Sequence, residues 1–208
     1  MIDPHKSQQS CYITSFFSLR DNKMDALDAL ATRRTARQYE RDYTIPKDVL
    51  EQIINSALRS PSGHNVQDID LLVVTNRAKL DEVATNLLKA MPENLLKNFN
   101  ARKTDLGVTN LVTCDASCVV YLVQNERYNK IFNSIDSGII LMAIMVAARR
   151  FGLDTMCLGS MLYGDKSQTE ALLGIPEGKL AMAIAIGKAK EGHKEGPQQI
   201  LAKVTYLE

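Results

Sequence analysis

From Gly138 to Ala148 the chain carries no charged or polar side chain. A helix needs about 20 residues to cross a bilayer, so a run this short has to be covered by protein. It predicts a buried core helix over about 134–151, around which the rest of the chain is arranged. At 208 residues the sequence suits one compact domain, with residues 1–23 set apart as a polar N-terminal extension and residues 24–208 forming the domain.

The remaining pattern alternates. A helical period starts at Met24, with Leu27, Leu30 and Ala31 on one side. Pro46 opens an amphipathic helix over 46–58 through Val49, Leu50, Ile53, Ile54 and Ala57, and a turn-rich loop Ser60 to Asn65 follows. Strands are expected at 69–75, 117–124, 154–158 and 180–187, and helices at 78–90, 92–99 and 166–173. This is an α+β domain, with an antiparallel or mixed sheet wrapped by helices. The ending from Gln199 to Leu207 alternates Ile200, Ala202, Val204 and Tyr206 like a strand, behind a Gly/Lys/Glu-rich connector over 188–197; such an arm can add to a neighbour's sheet.

Lys+Arg at 25 against Asp+Glu at 24 leaves nothing that advertises a nucleic acid or an acidic membrane face. Cys11, Cys114, Cys118 and Cys157 have neither zinc-site spacing nor the density of a disulfide scaffold, so no metal is expected. Cys114 and Cys118 flank the apolar strand at 119–123, where a period of two would aim both to one buried face. A reducing, cytoplasmic setting is the expectation; the Phe16-Phe17 patch lacks the form of a secretory signal, and organelle import is left open.

Three segments carry polar groups in a chemically suggestive pattern. Arg33-Arg34-Thr35-Ala36-Arg37 sets three guanidiniums and a hydroxyl in five residues, which suits a phosphate monoester or a solvated basic turn. Pro61-Ser62-Gly63-His64-Asn65-Val66-Gln67 offers two amides and a hydroxyl, matching the alternating N–H and C=O edge of a flavin pyrimidine or serving as a polar surface turn. Cys157-Leu158-Gly159-Ser160 ends an apolar strand without side-chain bulk, where backbone can approach a flat ligand or simply terminate the strand.

Together these segments resemble the nitroreductase family. Arg33 to Tyr39 is similar to its Arg-Arg-Ser-x-Arg-x-Phe opening, and Ser60 to Gln67 to its Pro-Ser-x-x-Asn-x-Gln loop. Asp136-Ser137-Gly138, Phe151 to Thr155, Leu173 to Glu177 and Ala183 to Gly187 follow in family order, so that the likeness spans about residues 24–206.

The resemblance implies a nitroreductase-like fold assembled as a domain-swapped homodimer with a C-terminal arm, FMN in the interface clefts, and NAD(P)H as co-substrate in a ping-pong cycle. It assigns Arg33, Arg34 and Thr35 to the phosphate and ribityl end and Arg37 to the N1/O2 side of the ring, where reduction builds negative charge. Pro61, Ser62, Gly63, Asn65 and Gln67 would come from the other subunit, and Cys157, Leu158 and Gly159 would line the ring, the Gly159 N–H near N5. The flavin carries the hydride, so no catalytic side chain is expected; His64 belongs to the cleft rim.

The implied acceptors are nitroaromatics, quinones or flavins. Dehalogenation, flavin modification or a non-catalytic flavin-binding dimer are the alternatives. This chain departs from the family in having Gln67-Asp68-Ile69 where Gln-Pro-Trp is common, and Gln198-Gln199 where a basic pair usually meets the phosphate; Lys194, or else Lys190 or His193, would substitute.

Overall fold

The computed structural model describes residues 24–163, 166–193 and 200–207, so the N-terminal extension lies outside the described residues. Four strands, β1 (Ile69–Val74), β2 (Cys118–Gln124), β3 (Asp154–Cys157) and β4 (Leu180–Gly187), form one sheet in the order β1-β2-β4-β3. Every neighbouring pair is antiparallel, as expected for an α+β domain. The helices are α1 (Ala26–Thr32), α2 (Lys47–Ala57), α3 (Arg77–Lys89), α4 (Glu93–Asp105), α5 (Asn133–Arg149) and α6 (Ser167–Leu173).

The sheet is buried on both sides because its central strands are apolar at every position, not at alternate ones. Val119, Tyr121, Ala183 and Ala185 face one core, closed by Leu80, Ala84 and Leu87 of α3. Cys118, Val120, Leu122, Ile184 and Ile186 face the other, closed by Leu141, Ile144 and Ala148 of α5 and by Leu50, Ile53 and Ala57 of α2. Each such aliphatic side chain contributes about 1.5–3 kcal/mol on burial. The apolar run is therefore a helix as expected, but only one face of it is core: Leu141, Ile144 and Ala148 are buried against the sheet and α2, whereas Gly138 and Met142 are exposed.

Local chemistry sets the helix ends. Asp25 Oδ1 accepts from Asp28 N at 2.8 Å to start α1, and Asn76 Oδ1 accepts from Lys79 N at 3.0 Å to start α3. Gly174, at φ 68°, ends α6 in the left-handed conformation that glycine adopts without strain.

The structure departs from the sequence reading in four places. Cys114 and Cys118 are both buried, but in opposite cores: β2 begins only at Cys118, and Cys114 and Asp115 precede it with φ 54° and 70°, which breaks the period-two count. Helix α4 runs to Asp105, past the expected end at 99. Leu27 and Leu30, expected to be α1's inner side, are exposed, and Ala29 is its buried residue. Residues 200–207 form no strand within the chain, since an isolated extended segment has no ladder to join.

Candidate functional site

The arginine segment is laid along the edge of β3. Helix α1 stops at Arg33, and Arg34 Nη1 closes the helix end by donating to Ala31 O at 2.9 Å and Arg33 O at 2.8 Å. Beyond it Thr35 forms a parallel bridge with Thr155, and Ala36 N donates to Thr155 O at 3.2 Å. Ala36 and Tyr39 are buried, and Tyr39 N donates to Cys114 O at 3.1 Å. These anchors leave Arg33 and Thr35 half-buried and Arg37 exposed.

β3 then delivers its own end to the same place. Burial raises the pKa of the Cys157 thiol, and the positive charge of Arg33 opposes that rise. Leu158 is buried with its side chain in the core; its N–H donates to Ala183 O at 2.8 Å and its carbonyl accepts from Met161 N at 2.9 Å. Gly159 opens a 3-10 turn, Gly159–Leu162, where the first N–H groups have no partner within the turn. A Cβ built on Gly159 meets nothing within 4 Å among the described residues, so no neighbouring atom crowds this stretch of backbone.

A second cation joins Arg37. At Cys114 burial raises the thiol pKa, and Arg102 and Arg37 both act against it. Arg102 is fixed by a 2.7 Å bond from Nη1 to Leu111 O and by stacking 4.2 Å over the Phe99 ring. Sequence reasoning missed Arg102 because it stands inside a polar helix with no motif around it. The late basic segment also returns here: Ala189 bridges to Tyr39, Lys190 N donates to Gln38 O at 2.9 Å, and the buried His193 Nε2 has no hydrogen-bond partner among the described residues. Lys194 and the Gln198-Gln199 pair lie outside the described residues.

The amide loop has a different support. His64, Asn65 and Gln67 all stand at positive φ (53°, 55° and 50°), a conformation that costs about 1–2 kcal/mol per residue and so has to be held by its surroundings. Ser62 Oγ accepts from Gln67 N at 3.0 Å, and Asn65 Oδ1 accepts from Gln67 Nε2 at 2.8 Å, which aligns the two exposed amides. Pro61 is exposed at the loop entry. The Gly63 N–H points between both oxygens of Asp136, each at 3.1 Å, and a Cβ on Gly63 would come within 2.3 Å of the Phe132 ring, so only glycine fits. The His64 ring is tilted against that of Phe132, 5.3 Å away between centroids.

The arginine arm is thus held by β3 and the amide loop by the start of α5. The open glycine turn with its guanidiniums is one donor set and the pair of aligned amides another, and each has groups suited to part of a planar, phosphate-bearing heterocycle.

Residues 30–188 match the profile of the Nitroreductase family. The chain belongs to the nitroreductase family. A NADH dehydrogenase of Thermus thermophilus is 26% identical over 188 residues, covering 82% of this chain and 90% of that protein. Among solved structures, a nitroreductase with bound FMN from Bacteroides fragilis superposes with a TM-score of 0.74 at 21% identity, over 88% of this chain and 99% of that one. An FMN-dependent nitroreductase of Mycobacterium smegmatis, in complex with NADPH, gives 0.67 at 21% identity over 88% and 97%. The nitroreductase-like α+β fold expected from the sequence is the fold found. Among the described residues no helix is long and apolar enough to cross a membrane.

Proposed function

We propose that this chain is an FMN-dependent oxidoreductase that takes electrons from NAD(P)H in a ping-pong cycle and passes them to nitroaromatic, quinone or flavin acceptors. The observation that carries the reading is the Thr35–Thr155 bridge, which sets Arg33 and Arg37 alongside the strand ending in the open Gly159 turn. Arg33, Thr35 and the neighbouring Arg34 hold the phosphate and ribityl end, with Lys194, Lys190 or His193 closing it. Arg37 brings positive charge to the pyrimidine side of the ring, where reduction adds negative charge. Cys157, the Leu158 main chain and Gly159 form the floor. Bound FMN supplies the hydride chemistry, and the protein supplies orientation and field.

Pro61, Ser62, Gly63, Asn65 and Gln67 complete the cleft from the partner subunit of a homodimer. Support comes from β1, which among the described residues pairs with β2 on one side only, and from residues 200–207, whose Ile200, Val204 and Tyr206 are all more than 70% exposed. An arm of that kind fits an open strand edge. The unpaired thiols of Cys114, Cys118 and Cys157 agree with a reducing, cytoplasmic compartment.

The test is direct. Purified protein is expected to be yellow or to take up FMN, and to bleach with NADH or NADPH in the absence of oxygen, the colour returning with a quinone. Colourless protein that ignores added FMN would sink this reading.

A further inference from the structure

Asp68 stands where the family loop commonly carries proline, and the structure gives it a use. Its side chain is buried, and Oδ2 accepts from Asn129 N at 3.0 Å and from Asn133 Nδ2 at 3.0 Å. Its own carbonyl accepts from Asn125 N at 3.0 Å. One residue earlier, the Gln67 carbonyl accepts from Asn125 Nδ2 at 3.0 Å and from Arg127 Nε and Nη2 at 3.1 and 2.8 Å. At the other end of the loop Asp136 grips the Gly63 amide with both oxygens. Two buried carboxylates therefore hold the two ends of a segment whose middle, His64, Asn65 and Gln67, is left-handed.

A strained backbone relaxes unless its ends are fixed, and each positive-φ residue here has an accessible right-handed alternative. From this we infer that Asp68 and Asp136 are positioning residues for the flavin: they hold Asn65 and Gln67 in the one conformation that presents both amides to the ring. The inference rests on the proposed FMN site. It adds that the Asp68 branch of the clamp belongs to chains with an acid at this position, and that part of the cofactor's affinity resides in side chains that never touch it.

Asp68 allows a clean separation of shape from simple structural need. Oδ1 has no hydrogen-bond partner among the described residues, so Asp68→Asn can keep both bonds to Oδ2 and lose none at the other atom. Asp68→Ala strands the Asn129 and Asn133 donors, at a cost equivalent to about tenfold or more in an equilibrium constant.

The experiment is FMN titration of the full-length apoprotein, followed by fluorescence quenching and by the visible spectrum of the bound flavin, with amide exchange of the loop read in parallel on apoprotein. Asp68→Ala is expected to weaken FMN about tenfold, to shift the bound-flavin spectrum and to speed exchange at Gly63 and Gln67. Asp68→Asn is expected to stay within about threefold of wild type. Asp68→Ala binding FMN like wild type, or Asp68→Asn as weak as alanine, would overturn the inference. Wild-type protein that binds no FMN overturns the functional reading and this role with it; slow exchange at Gly63 and Gln67 that Asp68→Ala abolishes would then mark the clamp as purely structural.

Discussion

Thr35 and Thr155 meet in a parallel bridge, and through it a loop rich in guanidinium groups becomes an extra element on the edge of β3. The backbone carries this arrangement, so the exposed Arg37 side chain can be removed without disturbing it. Arg37→Ala is expected to weaken FMN by about 10- to 100-fold, the loss of a charge-assisted contact, while shifting stability by no more than about 0.5 kcal/mol. Flavin fluorescence titration beside a thermal melt checks both. Unchanged affinity would remove Arg37 from the site.

The exposed apolar residues of 200–207 make a second prediction. A chain ending at His193 is expected to run as a monomer in multi-angle light scattering and to lose FMN on gel filtration. A truncated chain that stays dimeric and yellow would assign the arm some other role.

Arg41 donates to Asp81 at 2.6 Å and to Asp115 at 2.7 Å, and its carboxylate hydrogen bond with Asp81 is the leading cause that raises its own pKa. Asp115 is buried and also accepts from Thr109 N and Asn110 N at 2.9 and 2.8 Å. This network holds the segment that carries Cys114 toward Arg37. Asp115→Ala leaves the Thr109 and Asn110 amides without their acceptor and Arg41 with Asp81 alone, and is expected to destabilise by about 2–4 kcal/mol. Asp115→Asn, which keeps an acceptor and tolerates the left-handed backbone, is expected to cost clearly less in urea unfolding.

Burial pushes the Cys118 thiol from 9.0 up to about 12. The folded state thus favours the protonated thiol, so this contribution is complete below pH 9 and is lost as pH rises toward 12. Over that window stability is expected to fall by about 1.4 kcal/mol per pH unit from this group alone. The buried Tyr39 and Tyr121 phenols are also raised by burial and add to the loss from their ordinary value of 10.0 upward. Cys118→Ala is expected to flatten the slope between pH 9 and 10 in denaturant titrations; an unchanged slope there would contradict the assignment.

Periodicity made the fold legible where burial is decided locally: the apolar α5 run, the amphipathic α2 with Leu50, Ile53 and Ala57, and the strands at β1, β2 and β4. It failed at Cys114, because the left-handed pair Cys114-Asp115 is fixed in part by Arg41, a partner 74 residues away that no local window contains. The site was legible as three motifs, but their supports were not. Asp136 lies 73 residues from Gly63, Arg102 reaches its carbonyl from inside a polar helix, and Asp68 looked like a mere departure from the family. Leu27 and Leu30 obeyed a helical period and still face outward, since periodicity reports that a face is apolar and not what covers it.

The arginine arm and the amide loop are fastened to different elements of the chain. On the dimeric reading, each cleft then draws its arm from one subunit and its loop from the other. Two defective alleles, one lacking Arg37 and one lacking Asn65, would complement each other: in their heterodimer both lesions fall in one cleft and the second cleft is wild type. Co-expression is expected to recover one flavin per mixed dimer, which neither allele retains alone.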